Sequence, residues 1–305
     1  MKNNIDINTK KILADIILNR KDIIIIDTFN YLFKYAYTMG TDNNAYIKGV
    51  DKLIKNIKHN IKGCSLILAV DGNCKFRKEL NSEYKSNRKE PPFIPSEGVR
   101  DWAKECIKHS YTYLSYDNDW EADDTIWSIV QTISFLCNKN KIRKNVYILS
   151  TDKDMYQMIK TSEYVKIKVI KKFVPKIDKV FESSWKSNSE IISEKDVPKI
   201  FNDVKTENLL VFRALTGDKS DNLKGYYKLN KKYASDIASN CIYDIEDKKL
   251  KLKNKDTLLT ESKSYDILDN INNKIELFDL NYKIMKMYFY YPKIQTPENF
   301  LQDYS

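Results

Sequence analysis

The amino-acid sequence predicts an α/β fold: a mostly parallel, Rossmann-like sheet flanked by helices. Three observations predict it. Short apolar runs at Ile23–Ile26, Leu66–Val70 and Val146–Leu149 each end at or just before an aspartate, namely Asp27, Asp71 and Asp152. Helical periodicity fills the intervals, over Tyr46–Asn60 and over Glu121–Cys137, where Ile126, Ile129, Val130, Ile133 and Leu136 recur at helical spacing. The chain has 305 residues, enough to bury a core and carry a smaller appended region.

The three runs are apolar at successive positions rather than alternate ones. That pattern suits strands covered on both faces, as in parallel sheets. Tyr164–Ile170 alternates and predicts a further strand. Lys75–Cys106 breaks the alternation of strand and helix with a charged stretch, then Pro91, Pro92 and Pro95, then a helix that Ser96 can cap. We read this stretch as an insertion projecting from the sheet. Thr206–Leu215 reads as a helix ended by Gly217, followed by a small, mainly helical region. Beyond Ile245 the chain is rich in Lys and Asn and shows no motif. The expected divisions are a core over residues 1–175 with an insertion at 75–109, a helical region over 176–245, and an extension over 246–305 of unknown role.

Composition narrows the chemistry. Two histidines, His59 and His109, leave little room for a histidine base or a set of histidine ligands. The five cysteines (Cys64, Cys74, Cys106, Cys137, Cys241) contain no C-x-x-C pair, which argues against a zinc site or a disulfide framework. No run of 18 apolar residues occurs and Met1–Asn8 is polar, so we expect neither a membrane span nor a secretory signal, and a soluble intracellular protein. Lys and Arg exceed Asp and Glu by 52 to 42, a formal charge of +10. The excess is local: six basic residues against three acidic over Lys75–Glu90, eight against three over Lys160–Lys186, five against one over Lys219–Tyr233. Basic segments beside acidic clusters suit a protein that grips a phosphate backbone.

The acidic residues form two constellations. Asp27 and Asp71 stand at strand ends, where open α/β sheets bind ligands, and Glu121, Asp123 and Asp124 crowd the first turn of a helix. Helical side chains tilt toward the N-terminus, so such carboxylates can converge on one cation. An isolated acidic first turn also simply complements the helix dipole. The second constellation is Asp152 and Asp154 in Ser-Thr-Asp-Lys-Asp, with Asp218 and Asp221 in Gly-Asp-Lys-Ser-Asp-Asn. Clustered carboxylates repel one another unless cations neutralise them, and oxygen-only ligand sets select Mg²⁺ or Mn²⁺ over zinc. Two such ions can activate a water and stabilise a leaving oxygen without any histidine.

Five segments carry a resemblance: Ile26-Asp27-Thr28-Phe29-Asn30, Val70-Asp71-Gly72, Glu121-Ala122-Asp123-Asp124, Ser150-Thr151-Asp152-Lys153-Asp154 and Gly217-Asp218-Lys219-Ser220-Asp221-Asn222. In order and rough spacing they resemble the flap endonuclease and 5′-3′ exonuclease family, in its bacteriophage and bacterial branch, over residues 20 to 240. The resemblance implies a PIN-like fold with an arch insertion and a small helical duplex-binding region. It implies a structure-specific nuclease that removes 5′ flaps or 5′ nucleotides with two or more Mg²⁺ ions, Mn²⁺ substituting. It makes Asp27, Asp71, Glu121, Asp123 and Asp124 the first metal site, and Asp152, Asp154, Asp218 and Asp221 the second. Lys85 and Arg88 become the basic residues at the base of the arch, and Arg213 a residue near the substrate, although a helix-surface role fits it equally. Tyr84 can stack on a base or pack internally. Implied partners are branched or nicked duplex DNA with a 5′ single-stranded end, including RNA–DNA, for a monomer in the cytoplasm, of a host if viral.

One departure stands out. Where the family has Gly-Val-x-Gly-Ile-Gly, this chain reads Gly225-Tyr226-Tyr227-Lys228-Leu229-Asn230, with Lys228 and Asn230 at two of the three glycine positions. A side chain hinders close approach of backbone to phosphate, which argues against a K⁺ site there. Lys224, Lys228, Lys231 and Lys232 offer direct charge contacts instead. Two other readings remain: a PIN-like endoribonuclease, and a catalytically silent branched-DNA binder. Abundant Lys, Asn and Ile with only 7 glycines suit an AT-rich genome such as a phage's.

Overall fold

The computed structural model of the chain describes residues 5–40, 45–72, 75–87, 96–175, 185–226 and 229–303. Contacts divide it into two units. The first comprises Met1–Cys74, Glu90–Ser193 and Met287–Ser305, and the second Lys75–Lys89 and Glu194–Lys286. This differs from the expected 1–175, 176–245 and 246–305. Residues 246–286 belong with the second unit, and the last stretch returns to the first because it supplies a strand there.

The strands are β1 Asp22–Asp27, β2 Ser65–Val70, β3 Thr112–Tyr116, β4 Lys144–Leu149, β5 Lys160–Thr161, β6 Val165–Lys172, β7 Glu190–Ile192, β8 Cys241–Asp244, β9 Lys249–Leu252 and β10 Ile294–Gln295. Eight form the sheet of the first unit in the order β10-β3-β2-β1-β4-β6-β5, with β7 also on β6. β3, β2, β1, β4 and β6 run parallel, and β10, β5 and β7 are antiparallel additions. Ile23–Ile26 are wholly buried because both faces are covered. Ile24, Ile26, Leu66 and Leu68 pack toward helices Thr28–Met39, Ala45–Asn60 and Ser96–Ile107. Helix Ala122–Asn140 covers the other face, with Ile126, Ile129, Val130 and Ile133 buried as the periodicity predicted. β3 was not legible in the sequence, since Thr112-Tyr-Leu-Ser-Tyr116 holds only one aliphatic residue.

In the second unit, helix Leu209–Thr216 ends at Gly217, whose φ of 70° suits a glycine. A Cβ on Gly217 or Gly225 would strike backbone atoms at 2.3 and 2.1 Å, so both glycines permit the tight loop between them. Helices Lys231–Asn240, Ser262–Asn272 and Glu276–Met285 complete the unit together with the β8–β9 hairpin. Asn281 fastens it, donating to the carbonyls of Ala214 and Lys224 at 3.0 and 2.8 Å.

The expected insertion at 75–109 is divided between the two units, and its residues 88–95 lie outside the described residues. Helix Lys75–Leu80 and the turns through Asn87 pack within the second unit, whereas helix Ser96–Ile107 packs within the first. Arg77 is buried, with Nε donating to the Ile284 carbonyl at 2.9 Å. Tyr84 is buried with Leu223, Ile284 and Met285. This is the internal packing that was one of its two readings. Arg88 and Lys228 lie outside the described residues.

Candidate active site

The carboxyl ends of β1, β2 and β4 lie where the strand order reverses, since the chain runs outward from β1 to β3 and then returns to place β4 on the other side of β1. Asp27 ends β1 and caps the following helix, accepting from the Asn30 N–H at 3.3 Å. Its second oxygen accepts from the Ser150 hydroxyl at 2.8 Å. The same hydroxyl oxygen accepts from the Asp152 N–H at 3.0 Å, so one serine ties the ends of β1 and β4 together. Asp152 in turn accepts from the Asp154 N–H at 2.8 Å, the local turn that Asp favours. Burial pushes the Asp27 carboxyl up to about 7; the negative charges of Asp71 and Asp152 add to the rise, and the Ser150 and Asn30 hydrogen bonds oppose it.

Asp71 follows β2 and accepts from the Ala122 N–H at 2.8 Å, placing a carboxylate at the positive end of a 19-residue helix. Gly72 makes this approach possible. A Cβ there would lie 2.0 Å from the Asp117 carbonyl oxygen, and the Gly72 N–H donates to the Trp120 carbonyl at 2.9 Å.

The first turn of that helix splits its acids. Glu121 is the N-cap and half-buried. Asp123 offers a carboxylate oxygen within 4.8 Å of oxygens from both Asp152 and Asp154, so the structure gathers it with residues expected at the second site. Asp124 is fully buried and accepts from the Tyr288 N–H at 2.8 Å. The reason is helical geometry: Asp123 and Asp124 point about 100° apart around the axis, one toward β4 and one toward the returning C-terminal segment.

The second unit holds the remaining candidates. Asp218 and Asp221 place carboxylate oxygens within 4.8 Å of one another. Asp218 accepts from the side chain of Arg213, and from the Ser220 N–H and hydroxyl at 2.8 and 2.6 Å. Burial opposes its ionisation, but the Ser220 bond and the Arg213 charge outweigh it and hold the carboxyl below its ordinary range. Arg213 is buried, which rules out the helix-surface role; its guanidinium is a counter-ion for Asp218.

Lys85 has a left-handed backbone, φ 60°, uncommon for a residue with a side chain. Its N–H donates to the Asp221 carbonyl at 3.0 Å. Asn222, also left-handed, donates from its side chain to the Glu83 carbonyl at 3.0 Å and the Ser86 hydroxyl at 3.1 Å, and Asn87 donates to the Lys219 carbonyl at 2.6 Å. The Lys85 turn is thus clasped to the loop of Asp218 and Asp221. Asn230 is the N-cap of helix Lys231–Asn240 with extended backbone, accepting from the Lys232 N–H, so an asparagine here needs no left-handed geometry. Lys224, Lys231 and Lys232 are exposed, and Lys232 pairs with Glu261 at 2.7 Å.

Sequence reasoning missed Ser150, Asn30 and the segment around Tyr288. Ser150 carried a signal, lying two residues before Asp152 at a strand end. Tyr288 carried none, because its contribution is a main-chain N–H.

A mostly parallel α/β sheet whose strand ends and following helix present carboxylates, with neither His nor Cys among the grouped residues, defines a protein with an all-oxygen acidic centre. The chain belongs to the 5′-3′ exonuclease family: the family model described as 5′-3′ exonuclease, N-terminal resolvase-like domain, matches residues 22–197. It is 29% identical over 225 residues to a 5′-3′ exonuclease of Buchnera aphidicola, covering 71% of this chain and 70% of the relative. It is 26% identical over 229 residues to DNA polymerase I of Streptococcus pneumoniae, where the match covers 70% of this chain but 23% of that protein. The fold is similar to that of bacteriophage T5 5′-exonuclease with bound divalent zinc ions (TM-score 0.56, 17% identity, 93% of this chain and 92% of that one). It is also similar to that of the T5 flap endonuclease in a complex with DNA and metal ions (TM-score 0.53, 19% identity, 93% and 92%). Among the described residues no helix is long and apolar enough to cross a membrane.

Proposed function

We propose that this chain is a divalent-metal-dependent 5′ nuclease, which hydrolyses DNA phosphodiesters at 5′ ends and 5′ flaps of branched or nicked duplexes. The observation that carries the reading is the crowding of carboxylates beyond β1, β2 and β4. Asp123, Asp152 and Asp154 approach one another, and Asp27 is pushed up to about 7 among like charges. That donor set fits hard cations: oxygen only, anionic, and costly to keep ionised without one. Asp27, Asp71, Asp123, Asp152 and Asp154 would hold Mg²⁺, or Mn²⁺ in its place. Such ions, when bound, lower the pKa of an attacking water and stabilise the leaving oxygen.

The chain's own groups do the remaining work. Ser150 holds Asp27 and the Asp152 main chain in register. Lys85, fixed by the clasp to the loop of Asp218 and Asp221, brings a cation for the scissile phosphate. Lys224, Lys231 and Lys232 bind duplex phosphates by charge. We assign the protein to replication, repair or primer removal, including RNA–DNA primers, as a monomer in the cytoplasm.

The test is a 5′-labelled flap on a nicked duplex, incubated with Mg²⁺ and with EDTA, comparing the wild type with Asp152→Asn. Release of the flap near the junction with Mg²⁺ only, reduced at least about a hundredfold in the variant, supports the reading. Salt-sensitive binding without cleavage in Mg²⁺ or Mn²⁺ overturns it in favour of an inert branched-DNA binder.

A further inference from the structure

Four residues of the returning C-terminal segment alternate. Phe289 and Tyr291 are 48% and 45% exposed, whereas Tyr288 and Tyr290 turn toward the start of helix Ala122–Asn140. The inward pair grips the first two turns of that helix at several points. The Tyr288 N–H donates to the Asp124 carboxylate at 2.8 Å, and the Tyr290 N–H to the Ser128 hydroxyl oxygen at 3.0 Å. The Tyr290 hydroxyl meets the Thr125 hydroxyl at 2.7 Å. The Tyr290 ring lies flat on Trp120, with centroids 5.4 Å apart and planes within 7°, and Tyr288 stacks on Trp120 at 6.0 Å. Trp120 immediately precedes Glu121, and its carbonyl receives the N–H of Gly72 beside Asp71.

The first turn of a helix lacks its own hydrogen-bond partners on one side and frays unless something outside it fixes it. Here that turn carries Asp123 and Asp124. We infer that residues Met287–Tyr291 are a strap that sets the position of this acidic turn, and that Tyr290 is its main positioning residue. Tyr290 reaches the turn from both ends, through Trp120 before it, Thr125 at its close and Ser128 in the turn that follows. The strap acts by holding Asp124 directly and the register of Asp123 through the helix backbone. Groups that orient metal ligands in this way typically alter metal affinity about 10–100-fold when removed.

The inference rests on the metal-dependent reading proposed above, and its test separates the two. Mn²⁺ binding to the full chain is titrated by electron paramagnetic resonance, with thermal unfolding and flap cleavage measured alongside, for the wild type, Tyr290→Phe, Tyr290→Ala and Phe289→Ala. Tyr290→Ala is expected to weaken Mn²⁺ binding about tenfold and to lower kcat with little change in KM for DNA. Tyr290→Phe keeps the ring on Trp120 and should recover most of that loss. Phe289→Ala, on the outward side, should lower stability without moving Mn²⁺ affinity. A folded Tyr290→Ala that binds Mn²⁺ like the wild type overturns the strap and leaves the nuclease reading intact. Should Tyr290→Ala fail to fold, Tyr290→Leu, which fills part of the space but removes both the stack on Trp120 and the hydroxyl contact with Thr125, takes its place; wild-type affinity in that variant overturns the strap equally. A wild type that neither binds Mn²⁺ nor cuts overturns the nuclease reading, and the strap's role with it.

Discussion

Asp27 and Asp218 are the same residue in opposite circumstances. Asp27 is surrounded by Asp71 and Asp152, with only a serine hydroxyl and an N–H to help it, and its carboxyl is pushed up to about 7. Asp218 has a buried arginine against it and two donors from Ser220, and is held below its ordinary range although burial opposes this. One acidic group is crowded by like charges, and the other draws its counter-ion from the helix that precedes it. The difference teaches that a cluster of aspartates is not a site by count; what matters is whether the chain itself supplies the positive charge.

Three experiments break or sharpen this comparison. The largest effect is expected for Asp218→Asn, which removes the charge facing buried Arg213 and should cost about 3 kcal/mol of stability, measured by chemical unfolding. A depressed carboxyl contributes stability at pH above its ordinary titration range and loses it as pH falls through the folded value. The gap between wild type and Asp218→Asn should therefore narrow toward acid pH. A pH-independent gap would mean that Arg213 is not the cause.

The next is Asp27→Asn, with the opposite sign. An unfolded aspartate sheds its proton near roughly 3.9 and the folded Asp27 near about 7. Between those values the folded chain holds more protons, so stability falls as pH rises through that window. Metal-free Asp27→Asn should melt higher than the metal-free wild type at pH 8 by roughly 1–2 °C, the shift that about 1 kcal/mol makes in a chain of this size. At pH 4 the two should coincide. Added Mg²⁺ should raise the wild type and not the variant, and equal melting of both metal-free proteins at pH 8 would show that Asp27 is not crowded.

The smallest effect is that of a single exposed lysine. Lys231→Ala should weaken duplex binding alike for all sequences and reduce the slope of log affinity against log salt by about 1. Lys232 is paired with Glu261 and should change the slope less. An unchanged slope for Lys231→Ala removes it from the DNA-binding surface.

The sequence disclosed the parallel core and the strand-end acids because both are written in side chains. An unbroken run such as Ile23–Ile26 has few explanations other than a strand buried on both sides, and Asp27 at its end inherits a position. Where structure depends on main-chain groups or on partners far along the chain, the letters said little. Tyr288 contributes an N–H that almost any residue could give. Tyr84 sits in a charged stretch and its burial is decided by Leu223, Ile284 and Met285, more than a hundred residues away. Arg77 is one of the six basic residues of Lys75–Glu90, yet the carbonyl of Ile284 holds it in the interior of its unit. The grouping of Asp123 with Asp152 and Asp154 followed from the direction of one helix turn, which spacing alone does not fix.

Both units are built from pieces distant in the chain. The Thr9 hydroxyl accepts from the Ile294 N–H at 2.8 Å across 285 positions, and Arg77 reaches Ile284 across 207. Contacts so remote in sequence make folding slow, because the chain must close very large loops before they form. On a ribosome β1, β2, β3, β4 and β6 can assemble early, but β3 keeps a naked hydrogen-bonding edge until residues 294–295 arrive, and such edges invite pairing with other chains. The helix bearing Asp123 and Asp124 likewise waits for residues 288–290 before its first turns are fastened. The acidic centre is therefore completed only after residues 288–290 have been made, and a nascent chain carries its aspartates long before it holds them in place.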